Sequence, residues 1–225
     1  TLFPVYRTYV RAEEPLTDSD RRTLDEAFAT LREFRPDLDA ELVGFLEALL
    51  RGEVEGDAEA DFVARFQQLT GPTMAKGVED TTFFVYAPLL STNEVGGSPR
   101  HPATTLEAFH QRMAERARRW PRAMLAASTH DTKRSEDARA RIAALTEMPD
   151  AWHRALEGLE GIAGRHRVGD LPDPRTAHYV HQTLVGAWPL DGDRLAEHLR
   201  KAMREAKQRT SWHRPDEAYE DAVIG

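Results

Sequence analysis

The chain has 225 residues, of which 40% are apolar and 30% charged, with a formal net charge of −8. That length holds one large domain or two small ones, and the acidic balance argues against nonspecific nucleic-acid binding, which depends on neutralising phosphates. The absence of cysteine excludes disulfides, thiolate catalysis and Cys-ligated zinc, and it fits a cytoplasmic protein. No apolar run approaches the ~20 residues of a membrane span, and the N-terminus lacks the basic-then-apolar layout of a signal peptide. A start at Thr1 without an initiator Met predicts an internal portion of a longer chain.

In chain order, Phe3 to Val10 is rich in β-branched and aromatic residues and predicts a short strand. Thr17, with Asp20 three residues on, starts a helix carrying Leu24, Phe28 and Leu31, which Pro36 stops. Asp37 or Asp39 starts the next, with an apolar stripe of Leu42, Phe45, Leu46 and Leu49 and a stop at Gly52. A third runs from about Asp57 to Leu69 and ends at Gly71-Pro72. From Thr73 to Pro102 no helical period is sustained, so a long irregular segment of functional character is expected. A helix returns from Thr105 to about Arg119, Trp120-Pro121 breaks it, and the apolar run Met124-Leu125-Ala126-Ala127 predicts a second strand, to Ser128. Ala138, Ile142 and Leu145 mark a helix closed by Pro149, and Trp152, Leu156 and Leu159 the next. Asp173-Pro174 starts one that reaches about Gly186, and the last covers about Asp193 to Lys207. Seven or eight helices and two or three short strands result.

The residues with the clearest chemical potential follow the second strand: Ser128-Thr129-His130-Asp131-Thr132-Lys133-Arg134. A carboxylate at a strand end can stabilise positive charge, as in α/β barrels, and His130 can hydrogen-bond a hydroxyl. Equally, Asp131 can be a helix N-cap, with Lys133, Arg134 and the charges after them forming a solvated face. A second group, Lys76, Glu79 and Asp80 around Gly77, can hold sugar hydroxyls or can pair and cap locally. The run from Ser91 to Gly97 lacks the layout of a phosphate loop and reads as a turn. His178 and His181 stand three apart on a helix without a further ligand set, so no metal or other cofactor is expected. No Gly-x-Ser-x-Gly elbow occurs.

Several words of the sequence carry a resemblance. They are Phe3-Pro4-Val5-Tyr6-Arg7-Thr8-Tyr9, then Arg65-Phe66-Gln67-Gln68 with Thr70-Gly71-Pro72, and Met74-Ala75-Lys76-Gly77-Val78-Glu79-Asp80-Thr81. They continue with Asn93-Glu94-Val95-Gly96-Gly97, the block from Thr129 to Arg141, and Arg204-Glu205-Ala206-Lys207 with Thr210-Ser211-Trp212. In this order they resemble the maltooligosyltrehalose synthases, the (1→4)-α-D-glucan 1-α-D-glucosylmutases of the α-amylase superfamily (glycoside hydrolase family 13).

The resemblance implies a (β/α)8 barrel with three catalytic acids, an intramolecular transferase activity on maltooligosaccharide or α-1,4-glucan, and a place in trehalose biosynthesis beside a maltooligosyltrehalose trehalohydrolase. It implies that Asp131 is the transition-state stabiliser, that His130, Lys133 and Arg134 bind substrate, and that Lys76, Glu79 and Asp80 line the wall holding the reducing-end glucose. No segment matches the family's nucleophile or general acid/base motifs, which precede Phe3 in the family. The fold expected is therefore mainly α, with helical insertions attached to part of the barrel: 1–10 a barrel strand, 11–119 a helical insertion with a site-wall loop at 73–102, 120–149 a barrel strand and helix carrying the His-Asp pair, and 150–225 a second helical segment. The remainder of the barrel is then a partner. The competing reading is a helical structural or interaction module without catalytic residues.

Overall fold

The computed structural model describes residues 3–11, 14–99 and 101–225. They form helices α1 (Asp18–Phe34), α2 (Ala40–Leu50), α3 (Asp57–Met74), a π-helical stretch (Ala75–Thr82), α4 (Phe83–Val85), α5 (Leu106–Arg119), α6 (Glu136–Ala143), α7 (Pro149–Ala163), α8 (Pro174–Ala187), α9 (Gly192–Ala206) and α10 (Glu217–Ile224). Two compact units divide the chain, Thr1–Asp80 and Thr81–Gly225.

The first unit is a three-helix layer. Leu24 and Phe28 of α1, Val43, Leu49 and Leu50 of α2 and Val63 of α3 form its core, with Phe3, Val10, Leu31, Leu46 and Phe66 packed around them. Thr17 caps α1 by accepting from the Asp20 N–H, and Asp39 caps α2 through Leu42. Asp20 does not complete a reciprocal capping box. Its carboxylate instead accepts from the Tyr9 N–H at 2.9 Å and from the Thr17 hydroxyl at 2.7 Å. The segment Phe3 to Val10, expected as a strand, is held without a sheet: Gln67, buried on α3, accepts from the Val10 N–H at 2.7 Å and donates to the Val10 carbonyl at 2.9 Å. One side-chain amide thus reproduces a single rung of a ladder. Residues 1 and 2 of the expected strand lie outside the described residues.

Two further expectations change here. Pro72 does not end α3. The helix runs on to Met74, and the Ala75 N–H still reaches the Gly71 and Pro72 carbonyls, so only the missing proline donor is lost. The segment after it is not irregular at its start, because Ala75–Thr82 is π-helical and leads into α4. Such stretches are rare and concentrate at functional sites.

The second unit packs α6 against α8, and α9 against α4 and α10. Ala87, Leu90, Ile142, Tyr179, Leu199, Ala202, Met203 and Tyr219 form its core. Gly186 lets α8 approach α6 closely: a Cβ there would stand 2.8 Å from Ile142 Cδ1, and Ile142 is fully buried. Among the described residues there is no β-strand, only an isolated bridge between Val168 and Leu171. The expected strand Met124 to Ser128 has no neighbouring described segment to form a ladder with. Its apolar side chains lie open, Met124 at 95% and Leu125 at 71% exposure. The helix after it is capped by Ser135, which accepts from the Ala138 N–H, so Asp131 is not its N-cap. Pro149 opens α7 rather than closing α6, consistent with its tolerance at the first helical position. Helix α10, which no sequence signal announces, buries Tyr219 and Glu220.

Two polar networks organise this unit. Glu220, 2% exposed, accepts from Arg204 Nε at 2.8 Å and Nη2 at 2.7 Å and from the Thr210 hydroxyl at 2.5 Å. Those bonds, Arg204 foremost, hold the Glu220 carboxyl below the usual carboxylate range against the opposing effect of burial. The second is a chain: Arg134 donates to the Tyr179 hydroxyl at 3.2 Å, which lies 3.1 Å from His198 Nε2. Burial first, then the Arg134 and Lys201 charges, lower the His198 pKa to about 4, so its imidazole is neutral at pH 7.

Two measurements follow from these networks. Glu220→Gln leaves the Arg204 guanidinium without its carboxylate and is expected to cost about 3 kcal/mol in chemical denaturation. His198 has a folded pKa below its unfolded one, so the unfolded state binds the extra proton between pH 4 and 6.5. Stability should fall by up to about 3 kcal/mol as pH drops through that window, and His198→Gln should flatten that part of the profile.

Candidate active site

The His130-Asp131 pair sits in a tight exposed turn between the irregular run from Met124 and the start of α6. Thr129 and Thr132 close the turn. The Thr132 hydroxyl donates to the Thr129 carbonyl at 2.9 Å, the Thr132 N–H reaches the same carbonyl at 3.3 Å, and the Asp131 N–H donates to the Thr129 hydroxyl at 3.3 Å. The Glu136 N–H donates to Ser128 Oγ at 3.1 Å and ties the run before the turn to the helix after it. The side chains of His130 and Asp131 both remain exposed.

Glu94 stands behind this turn. Its carboxylate accepts the Lys133 N–H at 2.8 Å and the Arg134 N–H at 3.2 Å, and Arg139 meets it at 3.3 Å. Arg139 also donates to the carbonyls of Arg134, at 2.8 Å, and of Ala127. Glu94 itself is placed by its neighbours. Asn93, 1% exposed, donates to the carbonyls of Phe83 and Tyr86. Gly96 follows with φ +74, and a Cβ on Gly97 would lie 2.8 Å from the Glu94 carbonyl, so this turn requires glycine at both positions. The run expected as a structural turn is one, and it carries a charged residue against the His-Asp turn. Glu94 stood in the sequence only as one letter of a motif, and no local pattern marks a carboxylate whose partners are 39 to 45 residues away.

Of the basic residues beside the pair, Arg134 is half-buried over the Tyr179 ring, 5.6 Å from guanidinium carbon to ring centre, and also donates to the Leu90 carbonyl at 3.3 Å. Its contacts are internal. Lys133 and Arg134 line one side of a cavity of about 220 Å³ whose other walls include Thr183, Arg194 and His198.

The second predicted group belongs to the first unit. Lys76 and Asp80 form an ion pair along one face of the π-helical stretch. Glu79 points inward, is 5% exposed and accepts a hydrogen bond from the Tyr6 hydroxyl. The structure therefore collects His130, Asp131, Lys133 and Arg134 in one turn, and Lys76, Glu79 and Asp80 on one helical stretch, each within its own unit. Among the described residues, no three His, Asp or Glu side chains converge as a metal site would require.

No family model matches the chain. A putative maltooligosyl trehalose synthase of Mycobacterium tuberculosis is 45% identical over 168 residues, 72% of this chain and 21% of that protein. The maltooligosyltrehalose synthase structure from Arthrobacter ramosus matches with a TM-score of 0.84 at 39% identity, covering 99% of this chain and 27% of that one. A hypothetical maltooligosyl trehalose synthase of Sulfolobus tokodaii matches with a TM-score of 0.72 at 28% identity, covering 99% of this chain and 28% of that one. The chain thus spans about a fifth of the length of the curated relatives it matches. Across almost its whole length it shares the fold of part of the Arthrobacter structure, and it belongs to the maltooligosyltrehalose synthase family.

Proposed function

We propose that this chain supplies part of the active site of a glucan mutase, one that converts the reducing-end α-1,4 linkage of a maltooligosaccharide into an α,α-1,1 linkage. The observation that carries this reading is the exposed Asp131 on a turn fixed from behind by Glu94 and Arg139, in a chain that matches the fold of about a quarter of the Arthrobacter structure.

The chemistry follows retaining glycosidase logic. A carboxylate nucleophile outside this chain forms a glycosyl-enzyme at the reducing-end linkage, with a second carboxyl group as acid and then base. Asp131 places negative charge beside the oxocarbenium-like transition state, and His130 donates to a hydroxyl of the same ring. The released glucose is retained, reorients, and attacks through its anomeric hydroxyl. Retention requires a wall that grips glucose and excludes water, since water would divert the intermediate to hydrolysis. Lys76 and Asp80 present a donor and an acceptor on one face for that purpose, while buried Glu79 anchors the stretch through Tyr6. Lys133 and Arg134 add positive charge next to Asp131.

In this reading the rest of the catalytic barrel is the structural partner, a maltooligosyltrehalose trehalohydrolase consumes the product, and the reaction is cytoplasmic, which the lack of cysteine fits. No helix among the described residues is long and apolar enough to cross a membrane.

In the whole synthase carrying this segment, Asp131→Asn should lower turnover by about 10²–10³-fold while leaving the unfolding midpoint unchanged, because the side chain is exposed. Near-normal turnover in that variant would reject the assignment. The isolated 225-residue chain, having no match to the other two acid motifs, is expected to form no trehalose linkage from maltooligosaccharide, as chromatography of the products would show.

A further inference from the structure

We propose that Glu94 and Arg139 are positioning residues for Asp131, acting as one clamp that sets where its carboxylate stands. The inference rests on the reading of Asp131 as the transition-state stabiliser.

The geometry separates this clamp from an ordinary helix cap. Ser135 already caps α6. Glu94 instead takes two consecutive backbone N–H groups, at Lys133 and Arg134, two and three residues after Asp131. Arg139 takes the carbonyls on both sides of the turn, Ala127 before it and Arg134 after it. The two side chains also meet each other at 3.3 Å, each largely shielded, at 18% and 23% exposure. The turn from 127 to 134 is thereby gripped at both limbs while its tip, His130-Asp131, is left open. Nothing in the clamp reaches the tip itself, so its effect on chemistry is through position alone.

A carboxylate suits this task because it accepts from four donors at once, the N–H groups of Val95, Lys133 and Arg134 and the Arg139 guanidinium. An amide at the same place offers one oxygen and turns an NH2 toward donors, leaving at least one N–H or the guanidinium unsatisfied. The guanidinium likewise suits Arg139, since its planar fork spans two carbonyls and a carboxylate, which a lysine ammonium cannot do with fixed geometry. Both residues lie on elements fixed independently of the turn. Asn93 and the Gly96-Gly97 turn hold Glu94, and helix α6 holds Arg139.

The test uses the whole synthase with a maltooligosaccharide as substrate. A shift of about 1 Å in a reacting group costs on the order of 10²-fold in rate. Glu94→Gln and Arg139→Met should therefore each lower kcat by about that factor, with KM within about threefold of the parent, the split that marks lost transition-state alignment. The double variant should be no slower than the worse single one, since the two act as one unit. Arg139→Lys should fall between parent and Arg139→Met. Turnover within about threefold of the parent in Glu94→Gln and Arg139→Met would overturn the proposal. A loss that only tracks a falling unfolding midpoint would do the same. Should Glu94→Gln fail to fold, the Arg139→Lys and Arg139→Met pair decides by the same criteria. Asp131→Asn is run alongside. If it stays active, the catalytic reading itself fails, whereas an inactive Asp131→Asn beside an active Glu94→Gln removes only the clamp.

Discussion

Buried backbone groups must find hydrogen-bond partners, and this chain meets that demand for its non-helical segments without a sheet. Long polar side chains do the pairing instead. Gln67 satisfies both main-chain groups of Val10. Gln182, 1% exposed, accepts the Leu90 N–H at 2.8 Å and donates to the Ala87 carbonyl at 2.8 Å. Asn93 reads the carbonyls of Phe83 and Tyr86, and Glu94 reads the amides after Asp131. Each substitutes for a rung that a neighbouring strand would supply, and each fixes one stretch of irregular chain against a helix or its neighbour.

The candidate site inherits its order from this device. The apolar core of the second unit supplies the rigid base, with Ile142 against Gly186 and Leu90 beneath the Gln182 amide. On that base the segment from Leu90 to Gly97 carries Glu94 to the back of the His-Asp turn. The tip stays exposed because everything that holds it binds its limbs. Main-chain groups of the turn are spent on structure, and the carboxylate and imidazole at its tip remain exposed.

Much of the helical framework was legible locally. Thr17, Thr105 and Asp173 serve as the caps their positions announced, and of Asp37 and Asp39 it is Asp39 that caps α2, since a cap is decided within three or four residues. Pro72 and the segment after it were not legible. Proline's penalty is a local expectation, and the π-helical continuation from Ala75 to Thr82 is set by how α3 runs on into α4. The two expected strands have no ladder among the described residues for a related reason: β-propensity describes a side chain's fitness for a sheet, but a strand exists only where a neighbour completes its ladder. Helix α10 is not legible in the sequence because its eight residues show little helical periodicity, and what places it is the Glu220–Arg204 pair.

The sequence by itself determined the starts of α1, α5 and α8, the His-Asp block and the family resemblance, because caps, turns and contiguous motifs are written in neighbouring residues. Only the tertiary structure decided that Asp131 stands free of α6, that Arg134 turns inward onto Tyr179, and that Glu94 and Arg139 hold the turn from behind. These are contacts between residues tens of positions apart, fixed by which helix faces pack together, and no local spacing encodes them.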